Sequence, residues 1–182
     1  IYVSRINGAT AGRILSGKNN NWLLGFWSGN RKVLYAEGWV AAPGGFTPDT
    51  NWYMYTATTS GSLTTGYENG TQWISNSGGI AGINGFSLNG FGGSSEFSDA
   101  QIAEVIAFNS VLNSTDRGRV ESYLANKYGL TSSIYLTSSR DTGTKRTGSA
   151  SAKLVTGSSA GNFTQSINVG NTDKYNLVGY AY

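Results

Sequence analysis

The chain has 182 residues, 13% of them charged, and a net charge of +3 from 13 Lys and Arg against 10 Asp and Glu. It holds no Cys and no His, which excludes a disulfide framework, a thiolate metal site and any Ser-His-Asp or Cys-His catalytic arrangement. The cations are dilute. Their one compact cluster, Arg140, Lys145 and Arg146, is interrupted by Asp141, so no nucleic-acid partner is expected. No run of 18 apolar residues occurs, so no membrane insertion is expected either. Abundant Gly, Ser, Thr and Asn beside 5 Trp and 11 Tyr favour an all-β protein, because aromatics and Thr suit pleated surfaces and Gly and Asn suit turns.

Ile1 to Arg5 alternates and reads as the middle of a strand, so a start further upstream is expected. Arg13 to Gly17 and Trp22 to Trp27 are the next strands, followed by a turn at Ser28-Gly29-Asn30. Arg31 to Ala41 reads as one longer strand, and Pro43 to Asp49 as a loop. Asn51 to Thr58 is a strand. Leu63 to Tyr67 and Thr71 to Ile74 flank Glu68-Asn69-Gly70, a hairpin signal because Asn and Gly tolerate positive φ. The glycine-rich stretch from Gly78 to Gly93 holds a short strand at Phe86 to Leu88. It lacks the Lys-Ser/Thr ending of a phosphate loop. Ile102 to Phe108 is the most apolar strand.

One helix follows. Asn113 is its expected N-cap, with Asp116 in an imperfect capping box. Val120, Tyr123, Leu124 and Tyr128 share one face, and Gly129 ends it with Leu130 placed for a Schellman contact. A linker is expected at Thr131-Ser132-Ser133. Beyond it Ser149 to Thr156, Phe163 to Val169 and Tyr175 to Tyr182 read as strands. These are too few for an independent sandwich. The expected domains are therefore residues 1–131 and a partial second β-sandwich over residues 132–182.

The stretches "NWLLGFWSG", "YAEGW", "NWYMYTAT" and "LTTGYENGTQW" occur in order. They lead to "GGSSEFSDAQIAEVIAFNSVLNSTDRGRVESYLANKYGL", where an apolar strand precedes a capped helix. In these features the segment from Trp22 to Leu130 resembles the laminin-G-like, concanavalin-A-like jelly-roll family of bacterial surface and secreted proteins. The resemblance implies an antiparallel jelly roll with one C-terminal α-helix, and early strands ahead of Ile1. Their absence here would leave an unpaired sheet edge. It implies a lectin-like module recognising a carbohydrate or glycoprotein, outside the cell or at its surface, beside other domains of the same parent chain. Ca²⁺ is implied by the resemblance only; the family's loop acidic pair has no match here. The segment from Ile134 to Tyr182, with "GSASAKLV", "NFTQSINV" and "KYNLVGYAY", more weakly resembles the opening of a galactose-binding-like carbohydrate-binding module.

An enzyme is not expected. The jelly-roll glucanases carry two carboxylates at alternate strand positions, and retaining chemistry needs them about 5 Å apart. No Glu-x-Asp or Glu-x-Glu occurs. Glu96 and Asp99 read as solvated loop carboxylates. Glu104, between apolar neighbours, is expected to cap loop amides or pair with an Arg. The binding candidates are Trp73, Trp39 and Trp27, because sugars stack on indole faces. Trp22 and Trp27 are five apart, so on a regular strand they face opposite sides. Trp73, just after the hairpin, is the one whose exposure is most expected. The alternative reading is a structural or adhesive spacer.

Overall fold

The structure, a computed structural model, describes residues 1–131 and the backbone of Ser139–Asp141 and Ser151–Lys153. The chain divides into two compact units, Ile1–Ile134 and Tyr135–Tyr182. In the first, the described elements are β1 (Tyr2–Ile6), β2 (Leu15–Ser16), β3 (Trp22–Trp27), β4 (Asn30–Ala36), β5 (Trp39–Ala41), β6 (Tyr53–Ser60), β7 (Leu63–Glu68), β8 (Thr71–Asn76), β9 (Ser87–Leu88), β10 (Ala100–Val105) and α1 (Ser114–Tyr128). In the second, β11 (Ser139–Asp141) pairs antiparallel with β12 (Ser151–Lys153). The expected strands at Phe163–Val169 and Tyr175–Tyr182, and the partial second sandwich built on them, lie outside the described residues.

The ten strands of the first unit form two antiparallel five-stranded sheets. Sheet I has the order β10-β1-β6-β7-β8 and sheet II the order β5-β4-β3-β2-β9. This is the expected all-β, antiparallel sandwich with one helix. Alternation assigns the faces. Trp22, Leu24 and Phe26 of β3 meet Tyr2, Tyr53 and Tyr55 of sheet I in the core between the sheets. On the other face of sheet I, Val3 and Met54 are buried with Leu124 of the helix.

Tyr55 is the centre of the inter-sheet core. Its ring lies 5.3 Å from Phe26 and 5.7 Å from Trp73, both edge-on, and 5.9 Å from Tyr2. Its hydroxyl donates to Glu68 at 2.6 Å, and burial, with the Glu68 carboxylate, raises its pKa well above the usual value. Arg31 Nη1 from sheet II donates to both Glu68 oxygens, at 2.7 and 2.8 Å, and Lys32 Nζ lies 3.2 Å away. Two consecutive residues of a strand reach one carboxylate because Lys32 is a bulge. Gly25 pairs with Val33 and Phe26 with Arg31, leaving Lys32 over, at φ 59°.

Two expected strands come out shorter. Arg31–Ala41 breaks at Glu37 and Gly38, where Glu37 takes φ 54° and the Ala36 amide closes a turn on Gly38 O. The apolar strand ends at Val105, and Phe108 beyond it is 45% exposed. Apolar content marks the segment as far as Phe108, but backbone pairing with the β1 segment reaches only to Ile106, opposite Ile1.

The hairpin and helix form as their local chemistry dictates. Asn69 and Gly70 both take positive φ, 49° and 80°. Asn113 caps the helix by accepting the Asp116 amide at 2.8 Å, and the Gly129 and Leu130 amides both return to Ala125 O. Val120, Leu124 and Tyr128 face sheet I as expected, but Tyr123 is 40% exposed and lies beside Lys127. Glu104 binds neither an Arg nor loop amides. Lys127 Nζ and Tyr128 OH donate to it at 2.9 and 2.8 Å, and these bonds hold its pKa below the usual carboxylate value.

Gly25 has φ 96°, and a Cβ there would come 2.2 Å from the Tyr2 hydroxyl, itself held by Leu24 O at 2.5 Å. Gly25→Ala is expected to destabilise the fold by about 2 kcal/mol or more, read by urea unfolding. At the start of β1 the Ile1 nitrogen donates to Ile106 O at 2.9 Å, and the Ile106 amide returns a bond to Ile1 O at 2.8 Å.

Candidate functional site

Strand alternation builds an aromatic face on the outer side of sheet II. With Leu24, Leu34 and Ala36 turned inward, Leu23, Val33 and Tyr35 turn outward, and Trp27 follows on the same side as Leu23. Leu23 pairs with Tyr35 and Tyr35 with Trp39, so three strands contribute to one row. The Trp27 and Trp39 rings lie 5.4 Å apart, tilted by 46°, and Tyr35 meets Trp39 edge-on at 4.9 Å. Leu23 and Val33 are buried, whereas Trp39 is 39% exposed and Trp27 and Tyr35 are half-buried.

A charged pair borders the row. Glu96 Oε2 accepts from Arg13 Nε and, at 3.0 Å, from Trp27 Nε1. Arg13 is 5% exposed, stacks 4.3 Å over the Phe91 ring and donates from Nη1 to Asn21 Oδ1 at 2.8 Å. The backbone repeats the contact, because the Arg13 amide donates to Glu96 O at 2.7 Å. A Cβ on Gly12 would lie only 2.1 Å from that same carbonyl, so the close approach requires glycine. Glu96 takes φ 55°. Its Oε2 takes both of these side-chain bonds, and its Oε1 has no hydrogen bond among the described residues.

The structure brings Trp27 and Trp39 together and leaves Trp73 apart. Trp73 is half-buried, packs edge-on against Tyr55 at the inter-sheet core, and its Nε1 is buried without a partner among the described residues. Trp22 is in the core, and Trp52 packs on the helix side of sheet I with Arg5 over its ring. Tyr35, Arg13 and Asn21 were not singled out from the sequence. Glu96, expected to be a solvated loop carboxylate, is the partner of a buried arginine 83 residues away. Asp99 accepts the Thr10 amide at 2.9 Å and fixes the loop.

Among the described residues no group of three or more His, Cys, Asp and Glu is placed to hold a metal ion. The acidic side chains are engaged singly: Asp49 by Asn51 and Tyr53, Asp116 by Asn113 and Arg119, Asp99 by Thr10. These residues do not fit a Ca²⁺ site. No described helix is long and apolar enough to cross a membrane. No protein-family model, curated protein or solved structure matches this chain.

Removing the Glu96 carboxylate strands a buried cation. Glu96→Ala is expected to cost about 1–3 kcal/mol, less than a fully buried pair because Glu96 is partly solvated, measured by chemical denaturation. Trp27 fluorescence should shift with it, since its indole N–H loses an acceptor.

Proposed function

We propose that the first unit is a non-catalytic carbohydrate-recognition module. On this reading the sandwich has jelly-roll, lectin-like topology and belongs to a secreted or cell-surface protein, where it serves adhesion to glycans or glycoproteins. The observation that carries the reading is the row of Trp27, Trp39 and Tyr35 beside the free oxygen of Glu96. Pyranose C–H groups stack on such rings, while a carboxylate oxygen takes the ring hydroxyls and sets orientation. Arg13 is covered by Phe91 and locked to Glu96, so its role is to position the carboxylate.

The disposition of the acids supports a passive role. Glu96 is held against the outer face of sheet II. Glu104, opposite Val3, is held by the helix on the outer face of sheet I. The two lie on opposite faces of the sandwich and share no groove.

A glycan array probed with the full chain, followed by calorimetric titration of the best ligand, tests the reading. Trp39→Ala is expected to weaken binding by about tenfold or more, the loss of one stacked ring, while Trp73→Phe leaves affinity unchanged. An array with no glycan retained by the folded chain would favour the spacer reading instead.

A further inference from the structure

A second carboxylate is tied to the aromatic row. Glu37 stands in the turn between β4 and β5, two residues after Tyr35 and two before Trp39, whose rings meet edge-on. Its φ of 54° is uncommon for a residue other than Gly. Its Oε1 accepts the Asn21 amide at 2.7 Å, and its own amide donates to Asn21 O at 3.1 Å. Trp22 turns to the core, so its neighbours Asn21 and Leu23 turn to the outer side of sheet II. Asn21 Oδ1 accepts from Arg13 Nη1, and Arg13 Nε donates to the same Glu96 oxygen that holds Trp27 Nε1. One line of hydrogen bonds thus connects both acids to this face, Glu96 at Trp27 and Glu37 at the turn that joins Tyr35 to Trp39.

The two acids differ in charge balance. Glu96 is paired with Arg13, a buried cation covered by Phe91. Glu37 is exposed, pairs with no cation among the described residues, and has no hydrogen bond to its Oε2. The other cations of this sheet are engaged elsewhere. Arg31 and Lys32 turn to Glu68, and Lys18 lies in the turn after β2, its amide on the carbonyls of Asn84 and Gly85. The face therefore offers ring faces, two free carboxylate oxygens and one uncompensated negative charge. It does so on a chain whose net charge is +3, so the charge is local to the face.

We infer that the ligand of this face is a cationic sugar, an unacetylated amino sugar, and that Glu37 selects it. Indole faces attract an ammonium group through the ring quadrupole, and a carboxylate adds a charge-assisted hydrogen bond. The sugar ring stacks on Trp39, its ammonium group meets Glu37, and its hydroxyls reach Glu96. A neutral hexose would satisfy the rings and Glu96 but leave the charge of Glu37 unanswered. A uronic acid or a sulfated sugar would meet two carboxylates and no free cation, which disfavours it. The inference rests on the carbohydrate reading and narrows it to one substrate class.

The test is calorimetric titration of the full chain with β-1,4-linked tetramers of glucosamine, N-acetylglucosamine and glucose. It is run at about pH 6, where a Glu is ionised and an amine protonated. The glucosamine tetramer is expected to bind about tenfold or more tightly than the other two. That preference should shrink in high salt. Glu37→Gln keeps an acceptor for the Asn21 amide and is expected to remove most of the preference. Trp39→Ala should weaken glucosamine binding, which a loose attraction between polycation and protein would not show. Equal or tighter binding of the glucose or N-acetylglucosamine tetramer would overturn the inference and leave the carbohydrate reading standing. A preference that survives either substitution in the folded chain would also overturn it. Failure of every tetramer, with no glycan retained on an array, would overturn both.

Discussion

The hydrogen bond from Tyr55 to Glu68 joins the apolar and charged halves of this sandwich. The Tyr55 ring is in contact with Phe26, Tyr2, Tyr53 and Trp73. Its hydroxyl is desolvated and needs an acceptor, and Glu68 supplies one. Glu68 is then a half-buried charge and needs cations, which Arg31 and Lys32 bring from the opposite sheet. One chain of necessity thus runs from a buried aromatic to a contact between the sheets.

Meeting that need fixes the outer face of sheet II. Arg31 pairs with inward Phe26, and Val33 must pair with Gly25 for Leu34 to face Leu24. Only an extra residue between them satisfies both, and Lys32 is that residue. The extra residue lies in β4, and in β3 Gly25 takes the positive φ beside it, with Trp22 turned to the core and Trp27 to the outside. Tyr35 then falls beside Trp39 and opposite Leu23, and the aromatic row forms. The Arg13–Glu96 pair locks the loop that borders this row. The proposed recognition face is in this sense a consequence of how the core places its charges.

Much of this was legible from local patterns. The Asn69-Gly70 turn, the Asn113 and Gly129 caps, and the opposed faces of Trp22 and Trp27 depend on neighbours in sequence, and the structure has them all. Trp73 was harder to read. A position beside a hairpin favours exposure, but Gly66 on the neighbouring strand leaves space that the indole fills. A Cβ on Gly66 would come within 2.8 Å of the ring. The break at Glu37 had a local signal, because Ala36, Glu37 and Gly38 are all poor strand formers, but the period-two spacing of Val33, Tyr35 and Trp39 reads straight across it. The role of Glu96 had no sequence signal, since its partner Arg13 is remote in the chain and only the fold brings them together.

The link from the Glu68 cluster to the aromatic face is most directly tested by deleting Lys32, with Lys32→Gly, which keeps both the bulge and its positive φ, as the control. The indole N–H resonances of the 5 Trp report the outcome. The account predicts that the control keeps all the signals in place, while the deletion displaces Trp27 and Trp39 and spares Trp52 on the helix side of sheet I. A folded deletion variant with Trp27 and Trp39 signals unmoved would contradict it.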